Sequence, residues 1–429
     1  MSDEGALALG VDIGTSAVRT VLLNEEANEI AIASRRFEDV QKRDPIAWRA
    51  LMFEALDELP DLDAVRAIAM DGTSGTMLAL DKDNEPVGAP IMYDERVEDS
   101  ELVVRLDREA PRGAVAVGSG SGAARTTVLA ARSGATRIVY QADWLVGALT
   151  GRFDLTDENN ALKTGYDPIR RKWPGWLMRA GVPVDRLPRV HPVGSMLASV
   201  SPSVSARTGL PTNAVVVAGT TDGCASFLAT GASKPGEGVT SLGSTLVVKF
   251  LSDRPVSAPS FGIYSHRVGD MWLPGGASNT GGRVLAQFYD GATIEALSAR
   301  IDLSEPVAEA YYPLPEPGER FPVNDPDLAP RMPPAEWAST DPIRHLHALL
   351  DGMARVEAEG YRRLTELGAP ALARVLTVGS GARNAAWMAL RERHLGVPVV
   401  TAPATEAAIG TARIALAHIR GEPLGQASA

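Results

Sequence analysis

The chain predicts an α/β fold built as two related domains, and three observations predict it. An apolar run from Leu7 to Ile13 meets the small turn Gly14-Thr15-Ser16 and returns as Val18 to Leu23, which reads as a strand, a tight turn and a strand. The same plan recurs at Val239 to Phe250 around Gly243-Ser244-Thr245, about 230 residues later, as expected of a duplicated architecture. Strands that empty into Gly, Ser and Thr turns recur at Val65 to Thr76, Ala214 to Gly223 and Val375 to Asn384. A length of 429 residues exceeds one hydrophobic core and agrees with two domains.

Taken in order, Pro45 to Leu59 carries apolar residues at helical spacing and stops at Pro60. Val65 to Met70 reads as a buried strand opening into Asp71-Gly72-Thr73-Ser74-Gly75-Thr76, and Met77 to Leu80 as a further strand. Ligand contacts in α/β folds gather outside the carboxyl ends of strands, so the Asp71 to Thr76 turn is a candidate site. From Glu98 to Gly151 the pattern is mainly helical. Its Gly118 to Gly122 tract follows no strand and reads as a helix entry or a mobile loop rather than a phosphate loop. Asp157 to Pro168 reads as a polar loop, and Pro174 to Ser201 as short helices and connections.

Ala214 to Ala218 is a strong strand that delivers Gly219-Thr220-Thr221-Asp222-Gly223 to a helical run from Cys224 to Thr230. Beyond the second hairpin, Pro342 to Leu367 is a long helix, Val375 to Val378 a strand, and Asn384 to Leu395 a helix after the turn Gly379-Ser380-Gly381-Ala382-Arg383. Backbone N–H groups at such a helix N-terminus suit a nucleotide. A short strand at Pro398 to Val400 and a helix from Glu406 to Ile419 close the pattern.

The net charge of −11 argues against nucleic-acid binding through a basic surface, so an anionic ligand must be held by backbone amides, hydroxyls and a metal. The single cysteine, Cys224, excludes an internal disulfide and fits a reducing compartment. Met1 to Gly5 shows no basic segment followed by an apolar core, and no run of about 18 apolar residues occurs, so a cytoplasmic protein without a membrane partner is expected. The six histidines form no metal-ligand spacing with Cys224.

With Asp12-Ile13-Gly14-Thr15-Ser16, Gly219 to Gly223, Ser241 to Thr245 and Gly379 to Asn384 in this order, the chain resembles the FGGY family of carbohydrate kinases, within the actin-like ATPase superfamily. Within it, the chain looks most like the short D-ribulose kinase branch, the plant and cyanobacterial group once labelled xylulokinase-like. The carriers of that narrower match are Asp71 to Thr76, Gln141 to Leu145, Asn160 to Tyr166, Gly275 to Asn279 and Tyr312 to Pro315. Ala17 and Gly223 depart from the branch, which tends to carry Gly and Ser there.

The resemblance implies two RNase H-like domains with a nucleotide cleft between them. Residues 1–230 plus 403–429 would bind sugar and residues 231–402 nucleotide, in a monomer or a homodimer. It implies transfer of the γ-phosphate of ATP to O5 of D-ribulose, with Mg²⁺, and xylulose or another polyol as the alternative acceptor. An actin-like ATPase switch without sugar phosphorylation, and a sugar-sensing regulator that has lost catalysis, are the rivals from other classes.

Phosphoryl transfer needs positioning, charge neutralisation and a base at the attacking hydroxyl. The resemblance makes Asp222 the base, although from position alone it is equally a helix N-cap. It makes Asp12 the magnesium acid, acting through water, with a turn-stabilising role as the alternative. Gly14, Thr15 and Ser16 would approach the γ-phosphate, and Gly243, Ser244 and Thr245 would close on it. Gly379, Ser380, Gly381 and Asn384 would line the adenosine pocket, with Trp387 either a packing surface for the base or core. Asp12, Ser16, Ser74 and Asp222 are the expected sugar contacts, Asp71 fixing the Ser74 turn. Gly276 belongs to the expected nucleotide set, with Ser278 and Asn279 beside it or serving only their turn. Lys163 reads as a solvated side chain and Cys224 as a small buried residue.

Overall fold

The computed structural model describes residues 5–424, and these divide into two units, each built on its own sheet. The described residues of Met1–Ala229, His266–Asp270 and Glu406–Gln426 form the first unit, and those of Thr230–Ser265 and Met271–Thr405 the second. Met1 to Glu4, read as carrying no leader, and the C-terminal residues 425–429 of the expected sugar domain lie outside the described residues. His266–Asp270 is a member of the first unit that no local pattern announces.

The first sheet begins with β1 (Leu7–Ile13), β2 (Ala17–Leu23), β3 (Glu29–Arg36) and β4 (Val65–Gly72). Further strands of this unit are β5 (Met77–Leu80), β6 (Arg137–Tyr140), β7 (Leu155–Asp157), β8 (Arg189–His191), β9 (Met196–Ser199), β10 (Val215–Val217) and β11 (Thr220–Thr221). The main sheet has the order β3-β2-β1-β4-β10-β9, with β11 paired to β4. β1, β4 and β10 run parallel, and the edges are antiparallel.

Side-chain size alternates along the two central strands and decides what covers each face. Leu9 and Val11 stand level with Ile68 and Met70, and these large side chains share a core with Trp48 and Trp144 from the helices Pro45–Leu56 and Gln141–Thr150. Ala8 and Gly10 stand level with Ala67 and Ala69 on the opposite face. A Cβ on Gly10 would lie 2.1 Å from the Ala408 carbonyl, so the helix Ala407–Arg420 packs here at a distance that only glycine permits. Truncating Trp48 or Trp144, both fully buried, would cost about 3–5 kcal/mol.

The second sheet contains β12 (Glu237–Leu242), β13 (Leu246–Phe250), β14 (Tyr264–Val268), β15 (Met271–Ser278), β16 (Arg374–Val378) and β17 (Val399–Thr401), in the order β14-β15-β13-β12-β16-β17. As in the first sheet, a hairpin strand lies between its antiparallel partner and a later parallel strand: β1 between β2 and β4, β12 between β13 and β16. The two hairpin turns differ by one residue. Gly14 N–H donates to the Ala17 carbonyl, whereas Gly243 N–H donates to that of Thr245, each at 3.1 Å.

A polar network is sealed inside the second unit. Arg391, fully buried on the helix Ala385–Leu395, donates to both oxygens of Glu357 at 2.5 and 2.7 Å and to Thr377 at 2.8 Å. Glu357 also accepts from Thr240 at 2.5 Å, and Thr240 is the register partner of Thr377. The network ties the long helix Pro342–Glu366 and the helix Ala385–Leu395 to β12 and β16, the two strands that end in the glycine turns.

Three readings are corrected. Glu98 to Gly151, expected as mainly helical, also contains a strand, Arg137–Tyr140, paired antiparallel with β5. Asp157 to Pro168 is not an exposed polar loop: β7 leads into a helix at Glu158–Leu162, and Asp157, Glu158, Asn159 and Asn160 are all buried. Pro174 to Ser201 contains β9, which joins the main sheet beside β10. No helix of the described residues is long and apolar enough to cross a membrane.

Candidate functional site

In the first unit, parallel pairing brings three aspartates together from distant stretches of chain. Asp12 on β1 is the register partner of Asp71 on β4, and Asp71 is that of Thr220 on β11, two residues before Asp222. Asp12 is 4% exposed and Asp71 fully buried. Arg19, directly across the hairpin from Asp12, reaches its Oδ2 at 3.3 Å and Glu406 at the same distance. The Thr411 hydroxyl donates to Asp71.

Burial raises the pKa of both carboxyls, and the charge of Asp12 raises Asp71 further. Asp12 is drawn back down by a hydrogen bond from Asp71 and by Arg19, while Asp222 pushes it up. Neighbouring buried carboxyls disfavour each other's charge, and Asp71, the more deeply buried, is raised the further of the two.

The turns around this cluster differ in how firmly they are held. Thr15 and Ser16 are exposed at the β1–β2 tip. In the Asp71 to Thr76 turn, Thr73 N–H and hydroxyl both donate to Gln141 Oε1, at 3.1 and 2.5 Å, and the hydroxyls of Thr73 and Thr76 lie 2.7 Å apart. Ser74 Oγ and Asp71 Oδ1 are sealed from solvent with no hydrogen-bond partner, so this turn carries two buried polar atoms unused by the fold.

Asp222 begins the helix Asp222–Ala229, and its Oδ1 accepts from Gly223 N–H at 2.7 Å. The strand before it is secured by the region misread as a loop. Asn159 Nδ2 donates to Thr220 Oγ1 at 2.9 Å, and Asn160 Nδ2 to the Thr220 carbonyl at 3.2 Å. Sequence reading named Gln141 and Asn160 only as parts of matching motifs, and gave neither them nor Asn159 a role at the site. The available signal was Asp157, an N-cap whose Oδ1 accepts from the N–H groups of both asparagines.

The second unit contains a cavity of about 480 Å³. Gly243, Ser380, Gly381, Asn384 and Trp387, all expected at a nucleotide, line it. The opposite wall was not anticipated: Gly282, Leu285, Ile294, Glu295, Ser298 and Ala299 come from two short helices after β15. Asn384 joins the walls, since its Oδ1 caps the helix at Trp387 N–H (3.0 Å) and its Nδ2 donates to Ser298 Oγ at 2.8 Å. Trp387 is at once core and cavity wall: it is 2% exposed, and its Nε1 is buried without an acceptor.

Four expected nucleotide residues of this unit do not line the cavity. Gly379 opens its turn in the left-handed region, with φ of 89°. Ser244 and Thr245 lie in the hairpin turn, where the carbonyls of Gly243 and Ser244 accept from the N–H groups of Gly282 and Arg283 at 2.9 and 3.0 Å. Gly276 requires correction, because it faces the core: a Cβ there would stand 2.4 Å from the Phe321 ring. Ser278 and Asn279 are both bonded to Glu319, at 2.5 and 2.7 Å, a structural use. Among the described residues no group of three or more His, Cys, Asp or Glu side chains could hold a metal ion unaided.

Residues 238–419 match the C-terminal domain of the FGGY family of carbohydrate kinases. Xylulose kinase of Escherichia coli strain K12 is 25% identical over 412 residues, covering 88% of this chain and 83% of that protein. The crystal structure of xylulose kinase from Rhodospirillum rubrum superposes with a TM-score of 0.80 at 23% identity, covering 96% of this chain and 89% of that one. That of Plasmodium falciparum glycerol kinase with ADP gives 0.78 at 16% identity, covering 99% and 93%. The fold is therefore that of these kinases.

Proposed function

We propose that this chain, whose residues 238–419 match the C-terminal domain of the FGGY family of carbohydrate kinases, phosphorylates the terminal hydroxyl of a ketopentose with ATP. The observation that carries the reading is the carboxylate cluster at the ends of β1, β4 and β11, in which Asp12 and Asp71 are level on parallel strands and Asp222 begins the helix that follows β11. Asp222 is the general base that accepts the proton of the attacking hydroxyl. Ser74, with its unused hydroxyl, and Ser16 contact the sugar.

The cavity at Gly381, Asn384 and Trp387 takes the adenosine. Backbone N–H groups and hydroxyls at Gly14, Thr15 and Ser16 in the first unit, and at Ser244 and Thr245 in the second, are each suited to phosphate. Asp12 fits a hydrated Mg²⁺ that arrives with the nucleotide, since a single charge-balanced carboxylate suits an ion that keeps most of its water. That ion, when bound, neutralises charge on the phosphates.

D-Ribulose is the acceptor proposed first, on the Asp71 to Thr76 turn. Xylulose is the second reading, favoured by the names of the relatives in E. coli and R. rubrum. An ADP-release assay over ketoses, aldoses and polyols separates them, with turnover expected for a ketopentose. Asp222→Asn should abolish that turnover while ATP still binds by calorimetry; near-normal turnover would sink the assigned base.

A further inference from the structure

Arg125, on the helix Gly122–Ala130 of the first unit, is 2% exposed, yet its donors go to main chain. Nη1 donates to the Gly75 carbonyl at 3.0 Å, and Nη2 to those of Tyr93 and Glu95 at 2.6 and 2.9 Å. Burying a guanidinium is costly unless its N–H groups are used; here Nη1 and Nη2 are used to join two segments of chain, while Nε is buried without an acceptor. The fit to the turn is close: Gly75 has φ of 96°, and a Cβ on it would stand 2.9 Å from Nη1. A second tie runs alongside, from Tyr93 N–H to Thr76 Oγ1 at 3.1 Å.

The segment held in this way exposes Tyr93 and Asp94. Burial, then Asp94, then Asp222 raise the pKa of the Tyr93 phenol, so the ring stands within electrostatic reach of the proposed base. A phenol within reach of Asp222, with an exposed carboxylate next to it in the chain, suits a ligand rich in hydroxyl groups.

We propose that Arg125 is a positioning residue for the sugar acceptor, locking Tyr93–Glu95 onto the Gly72–Thr76 turn so that Tyr93 and Asp94 face the acceptor beside Asp222. The proposal rests on the kinase reading and goes beyond it, in assigning acceptor affinity to a side chain that never meets the acceptor. Arg125→Met releases all three carbonyls. Arg125→Lys keeps the charge but not the fork, and reaches fewer of them.

The test is steady-state kinetics with the sugar found active in the panel, together with hydrogen exchange of the 92–96 segment. Arg125→Met should raise the KM for sugar about tenfold or more, as expected for lost charge-assisted hydrogen bonds, with the KM for ATP unchanged. Arg125→Lys should recover part of the loss. Thr76→Val, which removes the second tie together with the Thr73–Thr76 hydroxyl contact and leaves the Arg125 bonds in place, should move the sugar KM in the same direction by less, and keeps the test open if Arg125→Met fails to fold. An unchanged sugar KM, or an equal rise in both KM values, overturns the proposal. If the unaltered protein phosphorylates no sugar, the kinase reading falls by itself. Exchange at 92–96 then decides Arg125 alone, faster exchange in the variants supporting the lock and unchanged exchange refuting it.

Discussion

Glu158 offers a quantitative test of how the misread segment is built. It is 1% exposed, and its nearest cation is Arg171, whose Nε lies 3.6 Å away. Burial raises its pKa from the usual 4.5 to about 7; Arg171, Arg267 and the Val193 backbone oppose the rise, and Asp157 adds to it. Between pH 4.5 and 7 the folded chain therefore binds this proton more tightly than the unfolded chain, and stability must fall as pH rises through that window. At about 1.4 kcal/mol per pH unit the full effect is about 3 kcal/mol, absent below pH 4.5 and complete above 7.

Glu158→Gln removes the titration while keeping the shape. The difference in opening free energy between variant and parent should thus grow by about 3 kcal/mol in the variant's favour from acid to pH 8. Any constant cost of the amide cancels, because only the pH dependence of the difference is read. Hydrogen exchange of peptides over residues 155–164, corrected for intrinsic rates, reads this locally and does not require the two-unit chain to unfold in one step. Asp157, pushed to about 6 by burial, titrates in both proteins and contributes little to the difference. Identical pH profiles for the two proteins would refute the argument.

Other outcomes follow from the second unit. Arg391→Met leaves Glu357 buried and unpaired and should destabilise by about 3–5 kcal/mol in urea unfolding, whereas replacing both by apolar residues should cost less. Gly276→Ala drives a methyl into the Phe321 ring and should cost about 1–3 kcal/mol. ATP affinity by calorimetry should be unaltered in that variant; weakened binding with unchanged stability would restore Gly276 to the nucleotide set.

Local pattern was informative wherever a residue's role depends on its near neighbours. The hairpins at β1–β2 and β12–β13, the strand at Arg374–Val378 and the capped helix after Asn384 were legible because strand period, glycine turns and caps act over a few residues. Gln141, Arg125 and the wall at Ile294 and Ser298 were not, since their partners lie tens of residues away and no local spacing encodes them. Asp157 to Asn160 misled for a related reason: polar composition implies solvent unless the partners are known, and these partners sit on Thr220 and Arg267. Gly276 was placed in the nucleotide set after the resemblance, and its reason for being glycine is an aromatic ring from another part of the chain.

The sequence by itself therefore determined the α/β class, the repeated hairpin and the chemical types gathered at the turns, because these depend on short-range backbone geometry and side-chain period. Only the tertiary structure decided that Asp12 and Asp71 stand level as buried carboxyls with raised pKa values, that Asn384 bridges two walls of a cavity, and that a buried arginine staples the turn beside Ser74. Paired carboxyls, cavity walls and staples arise from parallel strand register and long-range packing, which bring together residues that are remote in the chain.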